Sequence, residues 1–416
     1  MIRRIEALNF RCLRYVNQRL ENFQVLVGPN ASGKTTFLDV VAFLGDFVTG
    51  DLERAIGERT QNFQDLVWGR SGNSFELAVE LEIPKKRRQK IEKSSYSVVR
   101  YEVSIGLSIN GELSILAEKV LLKEENNNQN NLTQRTLFPV EPSPKKTIIS
   151  AIRVKKSKTV INKLLGGNDN FYDETDKGWD HSFKLGPHRS ALGNLPEDES
   201  KFPVATWLKG ILIEGVQRLV LNSALMRKPS PPGQPKRFRP DGSNLPWVIE
   251  SLKKDLPLQY EEWIRHIRTA LPDVEEVKTI ERPEDRHRYL VICYQNDLEV
   301  PSWTISDGTL RLLALTLPAY LTGIEGIYLI EEPENGIHPR AVETMFQSLS
   351  SVYGAQILLA THSPVILSVA EASQILCFSK TETGAADIVR GSEHPALRDW
   401  KGETNLGVLF AGGVLG

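Results

Sequence analysis

Residues 28–35 constrain the fold of this chain more than any other feature. They read G-P-N-A-S-G-K-T and fit the pattern G-x-x-x-x-G-K-[ST]. An apolar run over 23–27 precedes the pattern, and a helix-compatible run over 36–44 follows it. A buried strand, a glycine-rich loop and a helix in this order predict a phosphate-binding loop in an α/β fold.

Each residue type in this loop has a chemical reason to be there. Gly28 and Gly33 allow a positive φ and a close approach of the backbone to phosphate, and the N–H groups of the loop form an anion-binding concavity at a helix N-terminus. Lys34 is predicted to reach the β- and γ-phosphates, and Thr35 to offer its hydroxyl to Mg²⁺. The residues predicted to bind nucleotide here are Gly28, Pro29, Asn30, Ala31, Ser32, Gly33, Lys34, Thr35 and Thr36. The alternative is an ordinary glycine-rich turn before a helix, which the full match and its context disfavour.

A second strong signal is the run G-I-Y-L-I-E-E-P-E over 326–334, an apolar strand that ends in two carboxylates. Ligands of open α/β sheets bind at the carboxyl ends of the strands. We expect this strand to lie beside the phosphate-loop strand, with Glu331 facing Mg²⁺ and Glu332 orienting or deprotonating the attacking water. Taken alone, such a strand end is more often a solvated turn.

Two further segments are candidate phosphate contacts. A buried strand over 355–360 ends in Thr-His-Ser, and His362 suits a γ-phosphate sensor because its imidazole can hydrogen-bond a phosphate oxygen. A structural histidine is the alternative. The loop at Ser306 and Gly308 opens a helical run, so its N–H groups and the helix dipole could bind phosphate. A plain turn with an N-cap is the alternative there.

Composition limits the partners of the chain. With 416 residues, 40% hydrophobic and 25% charged, it is long enough for two or three domain-sized pieces with full cores. Its net charge of −1 means that contact with DNA or RNA must come from local basic patches. Such patches would bind phosphates without reading sequence if they share one face, whereas a single cluster is usually a solvated loop. The candidate clusters are 85–90, 153–158, and 227–228 with 236–239.

The cellular setting follows from what the sequence lacks. The three cysteines, Cys12, Cys293 and Cys377, show no metal spacing and are expected to be buried thiols. The chain enters an alternating strand pattern at once, without a signal peptide. Its apolar runs fall short of the roughly 20 residues that span a bilayer. We therefore expect a cytoplasmic protein with no membrane contact.

Three parts are expected along the chain. Residues 1–120 are predicted to form the first part of the main domain, with strands over 74–83, 101–109 and 112–120 and a two-residue hairpin turn at Asn110-Gly111. Residues 121–275 are predicted to be an inserted lobe, with a mobile loop over 123–146 and helices over 204–222 and 247–271. Residues 276–416 are predicted to complete the main domain.

The order of these motifs resembles that of the ABC-class ATPases, and within them the branch of RecF, the SMC proteins and the overcoming-lysogenisation-defect (OLD) proteins. The motifs concerned are the phosphate loop, I-S-D-G-T at 305–309, the strand with its glutamates at 327–332, and A-T-H at 360–362. The resemblance implies an α/β fold: a P-loop ABC-ATPase head with a mixed β-sheet and flanking helices, plus an inserted α+β lobe.

Roles for individual residues follow from this resemblance. It implies that Glu331 is the Walker B acid, that Glu332 is the catalytic base and that His362 is the switch histidine, acting with Lys34. Gln64 is the candidate Q-loop glutamine, and would join Thr35 and Glu331 around Mg²⁺. Three further segments are similar to those of the branch: N-F-R at 9–11, D-G-S-N-L at 241–245 and the D-loop at 335–339.

The resemblance also implies a mode of action. In the family, two subunits meet head to tail and trap two ATP molecules between the phosphate loop of one and the signature loop of the other. The signature loop here contains Ser306 and Gly308 and reads I-S-D-G-T, where the family usually has L-S-G-G-Q. The implied assembly is a homodimer or higher oligomer that Mg-ATP closes and hydrolysis opens.

The biological role is left with alternatives. The long spacer between Thr35 and Ser306 carries no heptads and differs from the short spacer of transporter ATPases. The stretch after His362 is too short for the Toprim nuclease domain of OLD proteins. The chain therefore looks like a stand-alone ATPase of a two-gene anti-phage system, in which a neighbouring gene supplies a nuclease or toxin. A nucleotide-dependent scaffold with little turnover and a transporter ATPase subunit are the alternatives.

Overall fold

The computed structural model describes residues 1–125, 139–151, 156–176 and 178–394, apart from the side chains of residues 179 and 180. The strands are β1 (Ile2–Phe10), β2 (Leu13–Arg19), β3 (Phe23–Val27), β4 (Ser74–Glu82), β5 (Tyr96–Leu107), β6 (Leu113–Glu124), β7 (Ser157–Leu164), β8 (Asp169–Tyr172), β9 (Trp179–Phe183), β10 (Val216–Leu219), β11 (Val274–Glu281), β12 (Arg288–Tyr294), β13 (Leu298–Pro301), β14 (Gly326–Glu331), β15 (Ala355–Ala360), β16 (Ile375–Lys380) and β17 (Ala386–Arg390). The helices are α1 (Lys34–Thr49), α2 (Leu52–Gly57), α3 (Lys85–Arg88), α4 (Pro203–Gly210), α5 (Ser223–Met226), α6 (Leu245–Asp255), α7 (Pro257–Ala270), α8 (Asp307–Thr316), α9 (Pro339–Ser350) and α10 (Pro364–Val369).

The first sheet is antiparallel and has eight strands in the order β2-β1-β4-β5-β6-β7-β8-β9. The predicted hairpin at Asn110-Gly111 is confirmed, because β5 and β6 pair antiparallel with Leu107 opposite Leu113. The connection between them is five residues long, not two. It is closed by Ser108 N, which donates to Glu112 O at 2.8 Å, and by Gly111 N, which donates to Ser108 O at 2.9 Å. The alternating pattern of the strands thus predicted this sheet better than its turn chemistry did.

The second sheet has six strands in the order β10-β14-β15-β3-β16-β17. All neighbours are parallel except β16 and β17. The prediction that β14 lies beside the phosphate-loop strand β3 is wrong, because β15 lies between them. Every residue of β15 is buried, as suits a strand that is flanked on both sides and covered on both faces. The carboxyl ends of β3, β14 and β15 still meet at one edge.

Two corrections concern the predicted helices. The pattern over 204–222 forms α4 and a single π-helical turn (Ile211–Gly215), but then continues as the edge strand β10. Short apolar runs cannot be divided between helix and strand by periodicity alone. The pattern over 247–271 forms two helices, α6 and α7, and not one. The break lies between Asp255, the last residue of α6, and Pro257, the first residue of α7.

The predicted mobile loop over 123–146 is partly wrong. Strand β6 continues to Glu124. Residues 139–146 pack on the protein, where Glu141 pairs with Arg14 at 2.5 Å and Lys145 with Glu6 at 3.1 Å. These two ion pairs attach residues 139–146 to the rest of the protein, although the polar composition of the segment predicted a mobile loop. Residues 126–138 lie outside the described part of the chain, and so do residues 395–416 of the predicted C-terminal part.

Helix α1 lies between the two large sheets. Its Phe43 contacts Phe75 of the first sheet with ring centroids 5.5 Å apart, and its Phe37 contacts Phe378 of the second at 5.6 Å. On β3, Leu26 faces this core, while Val25 and Val27 face a second core formed with α6 to α10. The second sheet is therefore covered on both faces, and the mixed α/β fold with flanking helices is confirmed.

A smaller antiparallel sheet, β11-β12-β13, packs against α6 and α7. In the described ranges, no helix combines the length and the apolar character that crossing a membrane would need.

Candidate nucleotide-binding site

The phosphate loop connects β3 to α1 and requires glycine at two positions. Gly28 has φ 150°, and a Cβ there would lie 2.2 Å from the carbonyl oxygen of Phe378. Gly33 has φ 105° and comes directly before Lys34, the first residue of α1. Ala31 is also left-handed, with φ 61°. This backbone gathers its N–H groups around the start of a helix, as an anion site needs.

Lys34 lies inside this loop. Its side chain is nearly buried, and Nζ donates to Gly28 O at 2.8 Å and to Pro29 O at 2.9 Å. Burial lowers the pKa of Lys34 to about 8, although Glu332 and Glu331 oppose that shift. The loop therefore holds a desolvated ammonium group. Its electrostatic attraction to a phosphate is stronger than that of an ammonium group surrounded by water.

The predicted metal ligands meet across the edge of the sheet. Thr35 Oγ1 donates to Glu331 Oε2 at 2.5 Å. Glu331 spans the width of β15 because the glutamate side chain is long. Its second oxygen, Oε1, lies 3.3 Å from Nη2 of Arg218 on β10. Sequence reasoning missed Arg218, because the strand that carries it was predicted as the end of a helix.

The predicted catalytic residues follow the ends of β14 and β15. Glu332 has φ 47°, which is strained for a residue with a side chain. Its Oε2 accepts from Asn335 Nδ2 at 2.6 Å, and its Oε1 lies 4.0 Å from His362 Nε2. Burial and the charge of Lys34 lower the pKa of His362, while Glu332 and Glu334 raise it. The net lowering leaves the imidazole mostly neutral at pH 7.

These residues line one cavity of about 340 Å³, which is large enough to take part of a nucleotide. Within the described ranges, the buried hydroxyl of Ser32 has no hydrogen-bond partner. This is expected of a side chain that hydrogen-bonds a phosphate only when the ligand is bound. A polar cradle with a lysine, a hydroxyl and carboxylates fits Mg-ATP. The residues that line the cavity are Arg11, Cys12, Asn30, Ala31, Ser32, Gly33, Lys34, Thr35, Thr36, Glu331, Glu332, Ala360 and His362.

The structure brings Lys34, Thr35, Glu331, Glu332 and His362 together, but not every predicted site residue. Gln64 lies in a short 3₁₀ turn. In the amide orientation that satisfies its surroundings, its side-chain nitrogen donates to Gly72 O at 3.0 Å and to Arg70 O at 3.2 Å. It does not line the cavity.

The prediction of three buried thiols is confirmed for Cys377 alone. Cys12 and Cys293 are half-buried, and Cys12 lines the cavity.

The signature loop lies elsewhere on the chain. Ser306 caps α8 and accepts from Thr309 N at 3.2 Å. Gly308 packs on the D-loop, where a Cβ would lie 2.2 Å from Gly336 O. Arg227 holds the loop in place, donating to Ile305 O at 2.9 Å and pairing with Asp307 at 2.5 Å. Neither Ser306 nor Gly308 lines the cavity of its own chain.

The predicted basic clusters are partly neutralised within the chain. Arg87 lies 3.4 Å from Glu199, Lys158 lies 2.8 Å from Glu92, and Lys236 lies 3.1 Å from Asp255. Residues 153–155 of one cluster lie outside the described part of the chain. Arg87 and Arg237 line the same surface depression, so two of the clusters approach each other.

The arrangement of the strands and the phosphate loop is that of a P-loop ATPase fold of the ABC/AAA type. Over residues 23–368 the chain matches the family described as "AAA domain, putative AbiEii toxin, Type IV TA system", and it belongs to this family. No curated protein matches it.

Solved structures of SMC heads are similar in fold. The chain is 13% identical to the SMC head bound to the C-winged helix domain of ScpA, with a TM-score of 0.53, covering 93% of this chain and 97% of that one. An SMC head with an extended coiled coil, bound to the C-terminal domain of ScpA from Pyrococcus furiosus, is 12% identical, with a TM-score of 0.48 and coverage of 93% and 95%. The SMC head domain from Thermotoga maritima is 11% identical, with a TM-score of 0.44 and coverage of 94% and 98%.

Proposed function

We propose that this protein hydrolyses ATP to ADP and phosphate with the help of Mg²⁺. The observation that carries the proposal is the contact of Thr35 with Glu331 at 2.5 Å, inside the cavity that also contains Lys34, Glu332 and His362. The parallel strands bring three distant segments of the chain to one edge, but a purely structural role gives no reason for a lysine, a hydroxyl and carboxylates to meet there.

Each residue has a defined task in this proposal. Thr35 and Glu331 would hold Mg²⁺, which neutralises phosphate charge. Lys34 binds the β- and γ-phosphates. Glu332 accepts a proton from the attacking water, and its carboxylate is held by Asn335. The mostly neutral His362 hydrogen-bonds a γ-phosphate oxygen.

The proposal includes an ATP-dependent homodimer or higher oligomer. Ser306 and Gly308 lie outside the cavity of their own chain, and this supports their use by the partner subunit in a head-to-tail arrangement. ATP that contacts both subunits binds the closed state more strongly and so shifts the equilibrium toward it.

We further propose that the protein is cytoplasmic, belongs to the OLD-like branch and controls a nuclease or toxin encoded by a neighbouring gene in anti-phage defence. The family description, which names a toxin–antitoxin system, supports a role of this kind. A solved SMC head is bound to a domain of ScpA, which supports the binding of a partner protein on such a fold. The approach of Arg87 and Arg237 supports nonspecific contact with DNA or RNA.

ATP turnover of the purified protein tests the proposed reaction. Lys34→Ala removes a preorganised positive charge, so we expect turnover to fall by about 10²- to 10³-fold. Glu332→Gln should bind ATP, hydrolyse it slowly and accumulate as a dimer. Glu343→Gln is the matched control, because Glu343 is exposed on α9, where it accepts from Gln347 Nε2 at 3.2 Å. Undiminished turnover of Lys34→Ala would refute the site. ATP-stabilised assembly without turnover in the wild type would favour a scaffold.

A further inference from the structure

The chain reverses direction directly after the proposed catalytic base. Glu332 N donates to Ala360 O at 2.8 Å, and Asn335 N donates to Glu332 O at 3.1 Å. The left-handed conformation of Glu332 makes this reversal possible. As a result Glu334, two residues beyond the base, returns toward the end of β15, where His362 is found.

The carboxylate of Glu334 contacts the segment that carries His362 at two points. Its Oε1 accepts from Thr361 Oγ1 at 2.6 Å and from the backbone N–H of His362 at 3.1 Å. Thr361 is fully buried, and its hydroxyl also accepts from Ser363 N at 2.9 Å. One carboxylate oxygen therefore binds both the side chain of Thr361 and the backbone of His362.

The second oxygen of Glu334 gives an independent reason to look for a function. In the described part of the chain, Glu334 Oε2 is buried and has no hydrogen-bond partner. A buried polar atom without a partner destabilises the folded state.

Resting on the proposed function, we propose that Glu334 is a positioning residue for His362. It sets the backbone from which the imidazole projects, and so the distance of 4.0 Å between His362 Nε2 and Glu332 Oε1. Glu334 does not line the cavity, so it acts through His362 and not on the phosphate. Because catalytic groups must be held within a fraction of an ångström, loss of this contact slows hydrolysis more than it weakens ATP binding.

The test compares Glu334→Ala and Glu334→Gln with the wild type in ATP turnover and in equilibrium binding of ATP. Ala leaves two donors without an acceptor, and we expect kcat to fall by about 10- to 100-fold while the Kd for ATP is unchanged. Gln keeps one acceptor oxygen for both donors and should restore most of kcat. Glu343→Ala, an exposed change on α9, should match the wild type in both assays.

Two results would overturn the inference. One is a wild-type kcat for Glu334→Ala. The other is a kcat for Glu334→Gln as low as that of Glu334→Ala, which would mean that the charge of the carboxylate matters and not its acceptor oxygen. Thr361→Val provides a second route if the Ala variant fails to fold. It removes one of the two donors with almost no change of shape, so it should also lower kcat, and a wild-type rate would count against the inference. A wild type that does not hydrolyse ATP would instead refute the proposed function.

Discussion

We predict that the ammonium group of Lys34 makes the affinity for ATP depend on pH above neutrality. Burial lowers its pKa from 10.5 to about 8 in the free site, against the opposing charges of Glu332 and Glu331. A bound triphosphate is negatively charged and favours the protonated form, so the pKa of Lys34 is higher in the complex. Affinity for ATP must then fall as the pH rises through the pKa of the free site.

The size of this effect follows from the pKa. About three quarters of the free sites carry protonated Lys34 at pH 7.5, and about a tenth at pH 9. The Kd for ATP should therefore rise about eightfold between these two values, a loss of about 1.2 kcal/mol of binding free energy. A solvated lysine would stay protonated over the whole range and give a constant Kd.

The assay is equilibrium binding of a non-hydrolysable ATP analogue at constant Mg²⁺, from pH 7.5 to pH 9. Lys34→Arg is the control, because a guanidinium group stays charged over this range. It should bind more weakly overall, since its geometry differs, but with a Kd that does not change with pH. A wild-type Kd that is constant across the range, or the same slope in Lys34→Arg, would refute the reasoning.

Three further predictions concern stability and assembly. Arg59→Ala should lower the free energy of unfolding by about 3 kcal/mol in urea titrations, because Asp39 is buried and loses a partner at 2.7 Å; a loss below about 1 kcal/mol would contradict this. Burial raises the pKa of Glu174 to about 7, so the folded state binds its proton more tightly than the unfolded state does. Stability should therefore fall by up to about 3 kcal/mol as the pH rises from about 4.5 to 7, and Glu174→Gln should remove that part of the pH dependence. Arg227→Ala should weaken ATP-dependent self-association in sedimentation experiments but leave ATP binding unchanged, with exposed Lys228→Ala altering neither. Equal self-association of the two variants would count against a role for Arg227.

Local patterns predicted the phosphate-loop half of the candidate site well. The strand, loop and helix around Lys34 are confirmed as β3 and α1, because glycine spacing and apolar periodicity are properties of consecutive residues. The strand that ends at Glu331 and the strand that leads to His362 are confirmed for the same reason. The sequence also predicted that their carboxyl ends would meet, since parallel strands share that edge.

Features that depend on distant pairing could not be predicted in this way. Nothing in the local sequence places β15 between β3 and β14, or makes β10 an edge strand, because strand order is decided by packing across the whole sheet. Arg218 and Glu334 were missed for this reason: Arg218 contacts Glu331 on another strand, and Glu334 contacts the backbone of His362 in another loop. Gln64 was the candidate Q-loop glutamine of the family resemblance, but its side chain faces the neighbouring backbone at Gly72 and Arg70 and not the cavity.

Binding of Mg-ATP between the loop of Lys34 and the strand end of Glu331 is the central claim of the proposed function. The most direct measurement is a crystal structure of Glu332→Gln with Mg-ATP bound. We expect Lys34 Nζ to contact the β- and γ-phosphates, and Mg²⁺ to be bound by Thr35 and Glu331. Nucleotide bound outside this cavity, or a metal held without Thr35 and Glu331, would contradict the account.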